Sequence, residues 1–234
     1  MVSVAERRPL LLGHRGCRTP KFCENSIAAF EYTLASGCDG FEFDVRQTAD
    51  GKLVCVHDDA IRRHGVAQTN YGELCKQYLK SRSGPERTDI AILQDVLERF
   101  SDLAFLNIEL KIPGMEKVVV ELLEDLNHDR LVVSSFLVEV ICRIAEIDAD
   151  IPLGYIFDSV NGLKTWPSLP ARYVVPPHDL VSQELVAGVH KAGRKLVAWT
   201  VNRPQEMRSL AELGVDGIIS DDPKLLSETL GLRR

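Results

Sequence analysis

Two acidic residues lie one position apart in an otherwise apolar segment, residues 40–45, which reads GFEFDV. Alternate side chains of a β-strand point to the same face, so we expect Glu42 and Asp44 to share one face of a strand. A third carboxylate, Glu109, comes near the end of a second apolar segment, FLNIEL. Like charges repel at close range unless a positive charge lies between them. Oxygen ligands suit a hard divalent cation, so the three carboxylates predict a site for Mg²⁺ or Ca²⁺.

Histidines and basic residues follow other apolar segments. His14 and Arg15 come directly after LLLG, and His57 comes after LVCV. Imidazole titrates closest to neutrality, so His14 and His57 are the natural proton carriers. Arg15 offers a planar cation suited to phosphate, and Lys111 offers a second positive charge. With a metal ion these groups could cleave a phosphodiester. Pairing of the carboxylates with Arg15 and Lys111 alone is the alternative interpretation.

Short apolar segments alternate with helical patterns along almost the whole chain. The predicted strands are Leu10–Gly13, Gly40–Val45, Phe105–Lys111, Leu131–Ser135, Leu153–Phe157, Tyr173–Val175, Lys195–Val201 and Gly217–Ser220. Eight β-then-α units predict an α/β fold, a closed (β/α)₈ TIM barrel that residues 1–234 form as a single domain. A doubly wound open sheet is the alternative, and the lack of a Gly-rich dinucleotide fingerprint after the first strand disfavours it. Asn25 or Ser26 is expected to cap the first helix.

A barrel of this kind carries its active site at the carboxyl ends of the strands. That rule brings the three carboxylates, both candidate proton carriers, Arg15 and Lys111 to one rim. His178 follows the sixth predicted strand at the same rim, which favours contact with substrate. The other histidines occupy polar loop or helix positions, and we expect no chemical role for them; they are His64, His128 and His190.

One segment interrupts the alternation after the second predicted strand. Asp50-Gly51 is a strong hairpin turn signal, and the following KLVCVHDD predicts a strand antiparallel to the second. A polar stretch then continues until the helical pattern ILQDVLERF begins. We expect this short insertion, about residues 52–90, to lie over the catalytic end of the barrel.

Composition limits the classes of partner. The 234 residues are 45% hydrophobic and 26% charged, as in ordinary globular proteins. The net charge of −6 argues against nucleic acid or an anionic membrane as the main partner. There is no apolar run of about 18 residues, and the N-terminal apolar segment is too short for a signal peptide. We therefore expect a cytoplasmic protein without stable membrane association, and the oligomeric state stays open.

An ordered series of motifs covers almost the whole chain. The series is GHRG, ENSIAAF, GCDGFEFDVRQTADGKLVCVHDD, NIELK, AWTVN and GVDGIISDDP. In this order and spacing it resembles the glycerophosphodiester phosphodiesterase family. The resemblance implies metal-dependent hydrolysis of a glycerophosphodiester to glycerol 3-phosphate and an alcohol such as choline or ethanolamine.

The resemblance also implies a role for most residues of the rim. His14 and His57 match the family's two acid/base histidines, without showing which is the acid and which the base, and Arg15 matches its phosphate-binding arginine. Trp199 matches the tryptophan that closes one wall of the substrate pocket, and Lys111 is implied to lie beside the phosphate. The implied metal ligands are Glu42, Asp44 and Glu109.

The sequence departs from the family's pattern at a few positions. Cys23 stands where proline is usual, Ser26 stands where threonine is usual, and Ala91-Ile92-Leu93 replaces Pro-Thr-Leu. These departures leave the released alcohol open. Three other functions remain as alternatives at this point. They are a lysophospholipase D acting on lipid phosphodiesters, a barrel that binds phosphorylated metabolites without turnover, and a barrel isomerase or lyase.

Overall fold

The strands form a barrel in the part of the chain that the computed structural model describes, residues 8–19, 21–81 and 90–231. In chain order they are β1 (Leu10–Gly13), β2 (Gly40–Gln47), β3 (Leu53–Cys55), β4 (Ala60–Ile61), β5 (His64–Gly65), β6 (Phe105–Leu110), β7 (Leu131–Ser135), β8 (Leu153–Ile156), β9 (Tyr173–Val175), β10 (Lys195–Ala198) and β11 (Gly217–Ser220). Eight of these described strands pair in parallel in the cyclic order β1-β2-β6-β7-β8-β9-β10-β11, and β11 pairs back with β1. The predicted (β/α)₈ TIM barrel is confirmed. An open sheet would have two unpaired edge strands. Because β11 pairs with β1, the doubly wound open sheet is excluded.

Helices follow each barrel strand along the chain. They are α1 (Ile27–Ala35), α2 (Tyr71–Ser81), α3 (Leu93–Phe100), α4 (Glu116–Leu123), α5 (Val138–Ile147), α6 (Gly162–Thr165), α7 (Gln183–Lys191), α8 (Pro204–Leu213) and α9 (Pro223–Leu230). Ser26 rather than Asn25 caps α1, and its hydroxyl accepts the backbone N–H of Ala29 at 3.2 Å. Gly214 ends α8 in the left-handed conformation, which glycine adopts without a side-chain clash. None of the helices described here is both long and apolar enough to cross a membrane.

The observed strands differ from the predicted bounds mainly at two ends. β2 continues past the predicted Val45 to Gln47, because this end pairs with the antiparallel β3. The seventh predicted strand, Lys195–Val201, ends as β10 at Ala198. Beyond it Trp199 keeps one bridge, to Pro177, and its side chain lines the mouth of the barrel.

Alternate residues of the barrel strands face its interior. On β2, Phe41 and Phe43 face outward and pack against Phe30 of α1, whose ring stacks on that of Phe41 at 4.2 Å. The interior holds a layer of apolar side chains, which are Leu12, Phe105, Val132, Ile156, Tyr173, Val175, Val197 and Ile219. Glu42 and Asp44 lie on the same interior face, above this layer, as the period of two predicts.

The insertion forms a hairpin and a small core of its own. β3 pairs antiparallel with the end of β2, so the predicted hairpin is confirmed. β4 and β5 form a second antiparallel pair, and α2 follows them. The buried side chains that pack together here are Val54, Val56, Ile61, Val66, Leu74, Cys75 and Ile90. Residues 82–89 of the predicted insertion lie outside the described residues.

Candidate active site

Three carboxylates meet at the carboxyl ends of β2 and β6. The parallel register places Asp44 opposite Glu109, with Glu42 on the same face of β2. One oxygen from each side chain lies within 4.8 Å of the others, and all three residues are buried. Strand pairing therefore assembles a cluster from residues that are far apart in the chain.

Arg15 and Lys111 neutralise part of this cluster. The Lys111 ammonium lies 3.2 Å from Asp44 Oδ1 and 2.5 Å from Glu109 Oε1. Arg15 Nε lies 3.2 Å from Asp44 Oδ2, while Arg15 Nη1 donates to Glu24 Oε1 at 2.9 Å. Although burial opposes ionisation, the charges of Lys111 and Arg15 hold the pKa of Asp44 below its usual value. Pairing with Arg and Lys, the alternative interpretation, therefore applies to Asp44 and in part to Glu109.

Glu42 is not neutralised in this way. Its Oε2 accepts the backbone N–H of Arg15 at 2.9 Å, whereas its Oε1 is buried and has no hydrogen-bond partner among the described residues. Burial, together with the charges of Asp44 and Glu109, raises the pKa of Glu42 well above its usual value. Burial and the charge of Asp44 likewise raise the pKa of Glu109 to about 7, although Lys111 opposes the shift. A buried carboxylate oxygen without a partner is costly, and a cation would satisfy it.

The donor set of the cluster fits a hard divalent cation. All three side chains offer carboxylate oxygen, the ligand that Mg²⁺ and Ca²⁺ prefer. Oxygens on opposite sides of a Ca²⁺ ion can lie up to about 5 Å apart, so the observed spread of 4.8 Å is compatible with joint coordination. When all three carboxyl groups are ionised, they outnumber the two cationic side chains, which leaves negative charge for an added cation to offset.

His14 reaches the rim from the end of β1. Its Nδ1 lies 2.7 Å from Asp221 Oδ1, and its Nε2 lies 3.8 Å from Glu42 Oε2. Asp221 directly follows β11, the strand that pairs with β1. Sequence reasoning missed this contact of Asp221. The spacing from Ile219 could have revealed it. The side chain of Ile219 faces the barrel interior, and Asp221 lies two positions later, so its side chain is expected on the same face.

Asn25 is a second residue whose contact the sequence did not reveal. Its Nδ2 donates to Asp44 Oδ2 at 2.8 Å, and its Oδ1 accepts the backbone N–H of Asp44 at 3.1 Å. Asn25 and Arg15 both have φ in the left-handed region, 56° and 52°. Non-glycine residues are strained there, and such strain concentrates at functional sites. Asn25 thus orients a carboxylate instead of capping α1.

His57 reaches the rim from the insertion. It follows β3, and its Nδ1 lies 2.8 Å from Asp58 Oδ1. Together with His14 it lines a central cavity of about 90 Å³ at the mouth of the barrel. It also lines an adjoining cavity of about 330 Å³ whose wall includes Arg62 and Tyr78 of the insertion. The insertion therefore lies at the end of the barrel where the sequence predicted it.

Apolar side chains form the other wall of the central cavity. Trp199 packs edge-on against Phe136, with ring centroids 5.5 Å apart, and its indole N–H donates to Val175 O at 3.1 Å. Ile156 and Ile219 complete this wall. The cavity is thus charged on the side of β1, β2 and β6 and apolar on the opposite side. This arrangement suits a phosphate that is joined to a small carbon skeleton.

His178 is not brought to this site. Its Nε2 lies 3.7 Å from Glu206 Oε2, and it lines a separate groove along α8. Val175 faces the barrel interior. Residues two positions apart share a face, so Pro177 continues the inward-facing positions and His178, one position later, does not. The structure therefore places His178 outside the central cavity, where the sequence analysis expected it to contact substrate.

Comparisons with known proteins reveal relatives that share the sequence pattern and the fold. The profile of the Glycerophosphoryl diester phosphodiesterase family matches residues 14–225. A glycerophosphodiester phosphodiesterase of Caldanaerobacter subterraneus subsp. tengcongensis is 31% identical over 238 residues, which cover 94% of this chain and 96% of the relative. The structure of a glycerophosphodiester phosphodiesterase from Thermotoga maritima superimposes with a TM-score of 0.80 at 25% identity, covering 94% of this chain and 97% of its own. A phosphodiesterase of Oleispira antarctica, solved in complex with the product sn-glycerol-3-phosphate, shares the fold with a TM-score of 0.81 at 23% identity, covering 95% of this chain and 96% of its own.

Proposed function

The chain belongs to the glycerophosphoryl diester phosphodiesterase family, and we propose that it hydrolyses glycerophosphodiesters to glycerol 3-phosphate and an alcohol in a metal-dependent reaction with two acid/base histidines. One observation carries the proposal. His14, His57 and the carboxylates of Glu42 and Glu109 line the same small cavity, and Glu42 brings to it a buried oxygen that has no hydrogen-bond partner in the described part of the chain. The Oleispira antarctica phosphodiesterase of the same fold is described with sn-glycerol-3-phosphate, which is the product proposed here.

Glu42, Asp44 and Glu109 would hold the divalent cation, which we propose is Mg²⁺ or Ca²⁺. When bound, the ion would supply Lewis-acid polarisation of a phosphoryl oxygen and offset the charge that develops on it. The buried Oε1 of Glu42 supports this assignment, because a divalent cation is the ligand that would relieve both its isolation and the repulsion within the cluster.

The side chains around the cluster would bind the substrate and move protons. Arg15 and Lys111 line the central cavity and offer positive charge to the phosphoryl oxygens. One of the two histidines accepts the proton of the attacking hydroxyl, and the other donates a proton to the oxygen of the leaving alcohol. The adjoining cavity next to His57 offers room for that alcohol.

The alternatives are less well supported. A lysophospholipase D would need an exposed apolar surface beside the cavity, whereas Ile61, Val66 and Leu74 of the insertion are buried in its own core. A barrel that only binds phosphorylated metabolites would not need two histidines in the cavity. A phosphate-binding isomerase or lyase would need anion donors after the last barrel strand, where Asp221 lies instead.

We further propose that the partner is a small molecule and that the protein acts in the cytoplasm. The net charge of −6 disfavours nucleic acid and anionic membrane surfaces as partners. The adjoining cavity of about 330 Å³ has the size range of small-molecule sites, and it shares His57 with the central cavity.

Release of glycerol 3-phosphate from a panel of glycerophosphodiesters, with and without a chelator, tests the proposal. We expect chelation to abolish release and added Mg²⁺ or Ca²⁺ to restore it. Glu42→Gln should lose the metal-dependent activity. Glu116→Gln is the matched control, because Glu116 is also buried but accepts the backbone N–H of Gly114 instead of lining the cavity.

Full activity in the presence of a chelator would contradict the metal dependence. A lack of glycerol 3-phosphate release from every member of the panel would contradict the substrate class. Equal losses in Glu42→Gln and Glu116→Gln would show that both variants act through the fold and not through the cluster.

A further inference from the structure

A chain of hydrogen bonds links the loop after β10 to His14. Asn202 Nδ2 donates to Asp221 Oδ2 at 2.7 Å, and His14 Nδ1 lies 2.7 Å from Asp221 Oδ1. We propose that Asp221, held by Asn202, is a positioning residue that selects one tautomer of His14 and aims its Nε2 at the carboxylate cluster. The inference rests on the proposed function, because this orientation serves catalysis only if His14 transfers a proton there.

The carboxylate of Asp221 determines which ring nitrogen of His14 carries hydrogen. Although partial burial opposes ionisation, the hydrogen bond with His14 holds the pKa of Asp221 below its usual value, and an ionised carboxylate only accepts hydrogen bonds. Nδ1 of His14 is therefore the donor, and a neutral ring has its lone pair on Nε2. Nε2 lies 3.8 Å from Glu42 Oε2, on the side of the central cavity. A carboxylate that orients a proton-transferring imidazole in this way improves its aim and fixes its tautomer.

Asn202 and the strand register hold Asp221 in place. Asn202 Oδ1 accepts the backbone N–H of Asp221 at 2.9 Å and the hydroxyl of Ser220 at 3.1 Å. Because these donors occupy Oδ1, the amide Nδ2 of Asn202 is left to donate to the carboxylate. The backbone N–H of His14 donates to Ser220 O at 2.7 Å, which continues the pairing of β1 with β11. The imidazole and the carboxylate are therefore positioned by separate contacts.

The other Asp–His pair of the rim is held more loosely. Asp58, the partner of His57, is its neighbour in the chain, and its side chain is 77% exposed, whereas the side chain of Asp221 is 25% exposed. A hydrogen bond in partly buried surroundings contributes more than one that competes with water. Arg18 is a further charged neighbour of Asp221, and its Nη1 lies 3.9 Å from Oδ1.

Asp221→Asn tests the proposal, because an amide can donate as well as accept and no longer selects one tautomer. We expect kcat for glycerol 3-phosphate release to fall by about 10²-fold or more, with KM changed by less than about twofold. The affinity for Mg²⁺ or Ca²⁺ alone, measured by titration calorimetry, should also change by less than about twofold. Asn202→Ala, which keeps the carboxylate but frees it, should lower kcat by about tenfold.

Nitrogen-15 NMR of histidine-labelled protein measures the tautomer without any need for activity. In the wild type, the neutral form of His14 should carry its proton on Nδ1. In Asp221→Asn its signals should shift towards the Nε2–H form. Loss of the same signals in His14→Gln assigns them.

Asp216→Asn is the matched control. Asp216 Oδ2 lies 2.8 Å from His190 Nε2, and Asp216 precedes β11 at the end of the barrel opposite the cavity. The substitution therefore disturbs an Asp–His pair of the same kind away from the site. It should leave kcat and the His14 signals unchanged.

An Nε2–H tautomer of His14 in the wild type, or an unchanged kcat in Asp221→Asn, would overturn the proposal. A loss of kcat accompanied by an equal loss of metal affinity would also overturn it, since the carboxylate would then be maintaining the cluster. If Asp221→Asn does not fold, Asn202→Ala decides by the same readouts. Absence of activity in the wild type would overturn the proposed hydrolysis instead, while the NMR spectrum would still decide the tautomer.

Discussion

Glu109 is expected to destabilise the metal-free fold at neutral pH, so Glu109→Gln should stabilise it. Burial and the charge of Asp44 raise the pKa of Glu109 from its usual 4.5 to about 7. When folding raises the pKa of an acid, the acid does not change the free energy of unfolding at pH values below its unfolded pKa. As the pH rises from the unfolded pKa through the folded pKa, the free energy of unfolding falls. The loss therefore develops between about pH 4.5 and 7. Glutamine does not ionise, so the variant avoids this loss.

The magnitude follows from the difference between the two pKa values. At pH 7, a shift from 4.5 to about 7 corresponds to about 3 kcal/mol of unfolding free energy. In a protein of this length about 1 kcal/mol moves Tm by about 2–4 °C. In a chelating buffer at pH 7, Glu109→Gln should thus melt about 6–12 °C above the wild type. Lys111 keeps Asp44 as a partner at 3.2 Å, so the substitution does not leave its ammonium unpaired.

Thermal unfolding followed by circular dichroism measures this difference. The gain in Tm should be present at pH 7 and nearly absent at pH 4.5, where the carboxyl group is largely protonated in the folded state. Adding Mg²⁺ or Ca²⁺ at pH 7 should raise the Tm of the wild type more than that of the variant, because the variant lacks one of the three proposed ligands. Glu116→Gln is the control and should not be stabilised, since it weakens the hydrogen bond that Glu116 accepts from Gly114. A Tm of Glu109→Gln equal to or below that of the wild type at pH 7, or a gain of the same size at pH 4.5, would refute the reasoning.

Three further outcomes are expected. His14→Ala and His57→Ala should each lower kcat by about 10²–10⁴-fold, and near-normal turnover in a single-turnover or steady-state assay would remove that histidine from the reaction. Lys111→Met should lower turnover but raise the calorimetric affinity for Mg²⁺ or Ca²⁺, because its ammonium no longer occupies two of the carboxylates; weaker metal binding would contradict this. His178→Ala should leave KM and kcat unchanged, since His178 lies against Glu206 outside the central cavity. A raised KM would show that His178 contributes to substrate binding.

Local patterns in the sequence determined the barrel and the faces of its strands. Eight apolar segments alternating with helical patterns predicted the fold, because the periodicity of each segment reflects the faces on which it is buried. The spacing of Glu42 and Asp44 predicted a shared interior face, and the order of the strand ends predicted a common rim. These features depend on residues within a few positions of one another, so they can be read before any strand pairing is known.

The charge state of the cluster was decided by the tertiary structure. Glu42 and Asp44 look alike in the sequence, yet the pKa of Glu42 is raised and that of Asp44 is lowered. The reason is that Lys111 and the guanidinium of Arg15 both reach Asp44, whereas Glu42 Oε1 is buried without a partner among the described residues.

The partners of the strand-end residues were decided in the same way. Asp221 meets His14 because β11 closes the barrel against β1, and Asn25 binds Asp44 although its place in the sequence also suits a helix cap. His178 lies outside the site because it is one position out of phase with the strand before it. Periodicity gives the face of a residue within a strand. The closure of the sheet and the phase with which the chain leaves each strand arise from contacts between distant segments, and no local pattern specifies them.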